Sequence, residues 1–226
     1  MIERGHHDMG GRPAGKVELS EHDYAEWERR VDALMTLLGG VKGDKKLMTV
    51  DELRKNVEAL GPDAYDKMSY YERWVTSITQ TMIQRGVITT EELGRKMEQV
   101  RAKREKSGSE PDFRRERQAG ETKSGSDPDF SALPVRFALG ERVRVRDTAP
   151  LGHIRTPFYI RGHVGTIERL CGNFPMPEEL AQMRSGLPAQ PLYRVRFLQR
   201  EVWPDYRGRA DDVVEIEIFQ HWLEKA

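Results

Sequence analysis

The chain has one cysteine, Cys171, in 226 residues. A single thiol excludes an internal disulfide and any multi-cysteine metal site built from this chain alone. No histidine lies near Cys171 in sequence, so it reads as a buried structural thiol rather than a nucleophile. Excess charge is also lacking. Lys plus Arg and Asp plus Glu number 37 each, and no overall basicity points to nucleic acid. No apolar run approaches the length that spans a bilayer, and the N-terminal stretch has no apolar core of a secretory signal. The expectation is a cytoplasmic protein without a membrane segment. Glycine-rich phosphate loops, zinc-type cysteine spacing and serine-nucleophile elbows are absent. His6 and His7 with Asp8 make a poor metal site, because adjacent histidines diverge in regular structure and no third ligand follows at helical spacing. Core-forming residues are scarce, at 37% hydrophobic against 33% charged. A chain this lean, with no reaction machinery of its own, is expected to complete its burial against a partner.

What is present is organised around residues 140–167. Val143 and Val145 alternate with Arg142, Arg144 and Arg146, the period of a half-buried strand. Asp147 to Pro150 break the run. Gly152-His153-Ile154-Arg155-Thr156-Pro157 follows as a loop, since Pro157 donates no ladder bond and biases Thr156 toward extended backbone. A second strand begins near Tyr159 and continues through Ile167. Leu192 to Phe197 and Val213 to Ile218 supply two more strands, and a helical turn fits around Glu178–Met183. Short strands with these breaks predict a small SH3-like barrel over 134–226, with polar groups at its rim.

The N-terminal half reads as helical. Residues 1–21 lack periodicity and predict an extended arm. Residues 22–38 carry Tyr24, Trp27, Val31, Leu34 and Leu38 on one helical face and end at Gly39-Gly40. Thr49-Val50-Asp51-Glu52, Ser69-Tyr70-Tyr71-Glu72 and Thr89-Thr90-Glu91-Glu92 are capping boxes. They open helices bearing Leu53, Val57 and Leu60, then Tyr71, Trp74, Val75, Ile78 and Met82, then Leu93, Met97 and Val100. Arg54 sits at the margin of the first of these apolar stripes. The helical domain is expected to span 22–105. Residues 106–133 predict a charged, flexible linker, in which Ser107-Gly108-Ser109-Glu110-Pro111-Asp112-Phe113 recurs almost unchanged as Ser124 to Phe130. The expected class is α+β.

In this order and spacing, several segments resemble the β subunit of nitrile hydratase. They are His7-Asp8-Met9-Gly10-Gly11, Trp27-Glu28, Asp51-Glu52-Leu53-Arg54, Tyr70-Tyr71 with Trp74, Gly152-His153-Ile154-Arg155 continuing to Tyr159-Ile160-Arg161-Gly162, Leu192 to Phe197, and Glu201-Val202-Trp203. The resemblance implies a helical part and an SH3-like barrel wrapped around an α subunit. It implies that the α subunit holds Co(III) or Fe(III) in a cysteine cluster with two oxidised cysteines, and that this chain binds no metal. It implies hydration of nitriles to amides by an α–β heterodimer or heterotetramer. Arg54 and Arg155 match the two arginines that bind the oxidised cysteines and are the expected catalytic residues. Tyr70, Tyr71, Trp74 and Leu53 are expected to bind substrate. Two departures, Trp203-Pro204-Asp205-Tyr206 and the ending Leu223-Glu224-Lys225-Ala226, look like thiocyanate hydrolase, so a fused subunit of that type is the alternative. Two further readings fit less well. A metal-loading activator would resemble the helical half only. An SH3-like nucleic-acid-binding module would use the arginines of 142–146 but has no stacking set.

Overall fold

The computed structural model of the chain describes residues 4–13, 15–16, 23–40, 46–107, 132–148, 150 and 152–226. Helices α1 (Glu26–Leu38), α2 (Val50–Glu58), α3 (Pro62–Lys67), α4 (Tyr70–Gln84) and α5 (Thr90–Ser107) come first. Strands β1 (Arg142–Val145), β2 (Val164–Phe174), β3 (Gln190–Leu198), β4 (Val213–Phe219) and β5 (Leu223–Lys225) follow, with short helices α6 (Pro177–Leu180) and α7 (Gln199–Val202) between them. The class is α+β, as expected. The chain folds as two compact units: residues 1–20, 49–66 and 129–226 in one, residues 21–48 and 67–128 in the other. The linker repeats ending at Phe113 and Phe130 lie outside the described residues.

The capping residues act as their spacing predicts. Thr49 Oγ1 accepts the Glu52 amide at 3.0 Å, and Ser69 N donates to Glu72 Oε2 at 2.7 Å. At Thr89 both reciprocal bonds form, at 2.8 and 3.1 Å. Each satisfies amides that the first helical turn leaves unpaired. Helix α2 ends at Glu58 with Ala59 as its cap, short of the expected stop at Gly61-Pro62, and Pro62 opens α3, because the first helical position needs no N–H donor. The change to mixed charge at Arg101 does not end α5, which runs on to Ser107 through good helix formers.

In the second unit α1 packs on α4, burying Val31, Met35 and Leu38 with Ile78 and Met82. This corrects the expected α1 face. Tyr24, Trp27 and Leu34 remain 52%, 44% and 39% exposed, because the buried stripe follows the 31, 35, 38 spacing. Met97 and Val100 on α5 are half exposed.

The first unit is built on one antiparallel sheet in the order β4-β3-β2-β1-β5. Val143 and Val145 are fully buried between exposed arginines, as their alternation predicts. They join Ile160, Ile167, Tyr193, Val195, Phe197 and Leu223 in the core. Gly165 permits this packing: a Cβ there would stand 2.6 Å from Val195 Cγ1 and 2.8 Å from the Arg196 carbonyl oxygen. The Tyr193 hydroxyl donates to Gln220 Oε1 at 2.9 Å and accepts the Arg136 and Phe137 amides, which fastens the incoming chain to the sheet. Strand β2 slips register between Ile167 and Arg169 and again between Leu170 and Gly172. The second slip turns Cys171 partly outward. Its Sγ lies 3.8 Å from Glu217 Oε1, so the cysteine is half-buried and not, as expected, a core thiol.

Candidate functional site

The site lies in the first unit, where helix α2 meets the loop after β1. Asp51, Arg54 and Glu58 are spaced i, i+3 and i+7 and share one face of α2. Thr49 Oγ1 donates to the Leu180 carbonyl at 2.8 Å, so the start of α2 is also tied to α6. Leu53, one residue before Arg54, is 1% exposed and supports the helix from beneath.

The loop is held at several points. Ile154 packs against the sheet core. The buried Arg161 donates to the Thr156 carbonyl at 2.8 Å and the Thr148 carbonyl at 3.3 Å, with its guanidinium over Trp222 and Phe158. Asp8 of the arm accepts the Phe158 amide at 2.9 Å. The arm itself lies against Tyr159, which stacks on Trp203 at 5.4 Å. Gly10 and Gly11 allow that approach. A Cβ on Gly11, whose φ is +74°, would stand 2.8 Å from Trp203 Nε1. The His7-Asp8-Met9-Gly10-Gly11 stretch therefore serves as an anchor for the loop. Gly11→Ala is expected to lower stability by roughly 1–2 kcal/mol and speed proteolysis of the arm. An unchanged melting temperature and digestion rate would contradict this.

Pinned in this way, the loop inserts His153 against α2. Its side chain is fully buried. Nδ1 bonds Glu58 Oε2 at 2.8 Å, and Nε2 lies 3.5 Å from Asp51 Oδ1, at ion-pair distance but without a hydrogen bond. Burial pushes the imidazole pKa down, but Asp51 and Glu58 outweigh burial and raise it to about 9. Burial likewise opposes ionisation of Asp51, yet the contacts with His153, Arg54 and Arg155 hold its pKa below the usual carboxylate range.

Arg54 and Arg155 come together here from positions about a hundred residues apart. Partial desolvation and then the Arg54 charge depress the Arg155 guanidinium, against the pull of Asp51 and Glu58. Both side chains are exposed. Arg54 keeps one long contact, 3.5 Å to Asp51 Oδ1, and Arg155 has no ion pair or hydrogen bond among the described residues. Two guanidinium forks with few partners, over carboxylates already engaged by a histidine, suit an oxyanion. The Asp51–His153–Glu58 set was not singled out from sequence. The one signal for it is an arginine flanked by carboxylates at helical spacing.

The expected aromatic residues lie in the second unit. Tyr70, Tyr71 and Trp74 form one group with centroids 5.2 to 5.5 Å apart, joined by Tyr24 and Trp27 through Tyr71. Tyr70 is 60% exposed. Among the described residues no three His, Cys, Asp or Glu side chains converge on a metal position. His6 bonds Asp66 at 2.8 Å instead. No described helix is long and apolar enough to cross a membrane.

Comparison with known proteins covers almost the whole chain. Residues 4–122 match the family model described as nitrile hydratase beta subunit, N-terminal, and residues 127–225 the one described as nitrile hydratase beta subunit, C-terminal. The chain is 32% identical over 231 residues to the nitrile hydratase subunit beta of Rhodococcus erythropolis, covering 98% of this chain and 99% of the relative. The beta subunit of a low-molecular-weight cobalt-containing nitrile hydratase from Rhodococcus rhodochrous is 29% identical over 97% of this chain and 98% of its own length. Thiocyanate hydrolase subunit alpha of Thiobacillus thioparus is 38% identical over 92 residues, covering 40% of this chain and 72% of the relative.

Proposed function

Because the chain belongs to the nitrile hydratase beta-subunit family, we propose that Arg54 and Arg155 are its contribution to nitrile hydration, gripping an anionic group that the α subunit brings to them. The observation that carries this reading is the meeting of two exposed, sparsely partnered guanidiniums at one place. The described residues of this chain do not fit a metal, so the cobalt or iron belongs to the α subunit in this reading. The anion is the pair of oxidised cysteines that the resemblance implies there. Each arginine donates through its planar fork to the cysteine oxygens, keeps them ionised and fixes their direction toward the nitrile.

Within the second unit, Tyr70, Tyr71 and Trp74 are read as an aromatic surface for substrate. Tyr70 is the first residue of α4 and largely exposed, so its hydroxyl is free to meet a nitrile or the partner. Tyr70→Phe removes one hydroxyl and little volume. The expected loss is ~1–3 kcal/mol in kcat/KM with little change in melting temperature. Unchanged kinetics with a lowered melting temperature would make Tyr70 a structural residue.

We also read the sheet unit as an SH3-like barrel, and the protein as a cytoplasmic α–β heterodimer that pairs into a heterotetramer. Exposed apolar residues support a large interface, among them Leu37 at 65% and Leu139 at 70%. The alternative, a fused thiocyanate hydrolase-type subunit, rests on the higher identity over 92 residues. The match over the full length favours nitrile hydration. The test is the product formed by the chain with its α subunit. Amide from a simple nitrile supports the first reading, and turnover of thiocyanate but not nitrile supports the second.

A further inference from the structure

We propose that Asp8 of the N-terminal arm is a positioning residue for Arg155: its carboxylate seats the Phe158 amide and faces the buried Arg161 guanidinium, and so fixes the backbone from which Arg155 reaches the partner's anion. This role rests on the reading of Arg54 and Arg155 given above, and adds a residue that acts only through Arg155.

Arg155 stands directly before Thr156, which is buried. The Thr156 carbonyl accepts Arg161 Nε at 3.3 Å and Nη2 at 2.8 Å, and Nη1 reaches the Thr148 carbonyl at 3.3 Å. One guanidinium thus ties the backbone on both sides of Arg155. Its side chain is only 6% exposed, and carbonyls give it acceptors but no net charge. A buried cation without a counter-ion is strongly destabilising. Among the described residues its one ion pair is with Asp8 Oδ2, at 4.0 Å. Burial pulls the Arg161 pKa down, and Asp8 opposes that pull more than Asp147 does. The same Asp8 oxygen accepts the Phe158 amide at 2.9 Å, three residues after Arg155.

Arg4 holds Asp8 in turn. Its guanidinium lies 3.8 Å from Asp8 Oδ1 and donates to the Asp8 and Gly10 carbonyls. It also stands 5.6 Å from the Phe158 ring centroid, the same distance as Arg161. The arm is folded by its own turns: the Asp8 amide donates to the Gly5 carbonyl and the Arg12 amide to the Met9 carbonyl, each at 3.1 Å. His6 ties it to Asp66 at 2.8 Å. An arm braced in this way presents the Asp8 carboxylate in one place, and its effect reaches Arg155 through the backbone.

The test uses the chain reconstituted with its α subunit. Asp8→Ala should lower kcat/KM about 10–100-fold, as small misplacements of a working group do, with metal content retained. Hydrogen exchange over residues 152–161 should quicken while that of the sheet strands does not. Unchanged rates or unchanged exchange overturn the proposal. A double-mutant cycle separates positioning from a merely structural role. In an Arg155→Lys background, Asp8→Ala should cost less than about 3-fold more, because the group it positions is already lost. Losses that multiply overturn the proposal, since Asp8 would then act independently of Arg155. Asp8→Asn keeps an acceptor for the Phe158 amide but removes the charge facing Arg161. It should show a smaller loss with the same non-additivity, and it carries the cycle if Asp8→Ala fails to assemble. Near-wild-type rates for lysine at both arginine positions would sink the arginine reading. A slow Arg155→Lys with an unimpaired Asp8→Ala would sink this proposal alone.

Discussion

Arg54→Lys and Arg155→Lys are each expected to cut nitrile hydration by the reconstituted complex at least ~100-fold, while the chain still folds, binds its partner and the complex keeps its metal. An ammonium supplies charge but no planar fork, so it cannot hold two oxygens in a fixed plane. Removing a partner from a desolvated charged pair costs ~2–5 kcal/mol, and each ~1.4 kcal/mol is a factor of ten in rate. Folding should be spared, because Arg54 makes one long contact and Arg155 none among the described residues. The check is steady-state hydration of a simple nitrile with metal content and melting temperature measured alongside. Rates near wild type for both variants would leave the family match as architecture without this mechanism.

Alkaline pH is expected to loosen the same site. The His153 pKa is raised from its ordinary 6.5 to about 9. A group whose folded value lies above its unfolded value stabilises fully below the unfolded value, and the gain is lost as pH rises through the folded one. The stability contributed by His153 should therefore hold up to about pH 6.5 and disappear between there and pH ~9–10, with a total on the order of 3 kcal/mol. Asp51 works at the acid end: its depressed pKa gives stability that is lost as pH falls below the carboxylate range. Melting temperature from pH 6 to 10 measures the alkaline limb, which should flatten in His153→Gln. Parallel curves for wild type and variant would show that the ring does not carry that charge.

Local signals in the sequence translated well into local structure. The capping boxes at Thr49, Ser69 and Thr89 mark true helix starts, and the Val143–Val145 alternation marks the buried face of β1. Where tertiary packing chooses between two plausible faces, periodicity alone is insufficient. Of the expected α1 stripe, Val31 and Leu38 are buried, but Tyr24, Trp27 and Leu34 are exposed and Met35 takes a place in the buried face. A strand pattern likewise cannot show the register slip that turns Cys171 partly outward. For the site, the resemblance names Arg54 and Arg155, but nothing in a linear pattern pairs His153 with Asp51 and Glu58. Their contact depends on a loop fixed from three directions: Ile154 packed against the core, Arg161 bonded to the Thr156 and Thr148 carbonyls, and Asp8 of the arm bonded to the Phe158 amide. Long-range closure of this kind leaves no periodic trace.

We propose that two arginines of this chain close on one anionic group of the α subunit. A crystal structure of the complex tests it most directly, through the distance from each guanidinium to its nearest acceptor. Arg54 and Arg155 are both expected within hydrogen-bond distance, roughly 3 Å, of oxygens on the same partner group, with His153 still between Asp51 and Glu58. Guanidiniums that face solvent, or that have turned back onto Asp51 and Glu58, would contradict it.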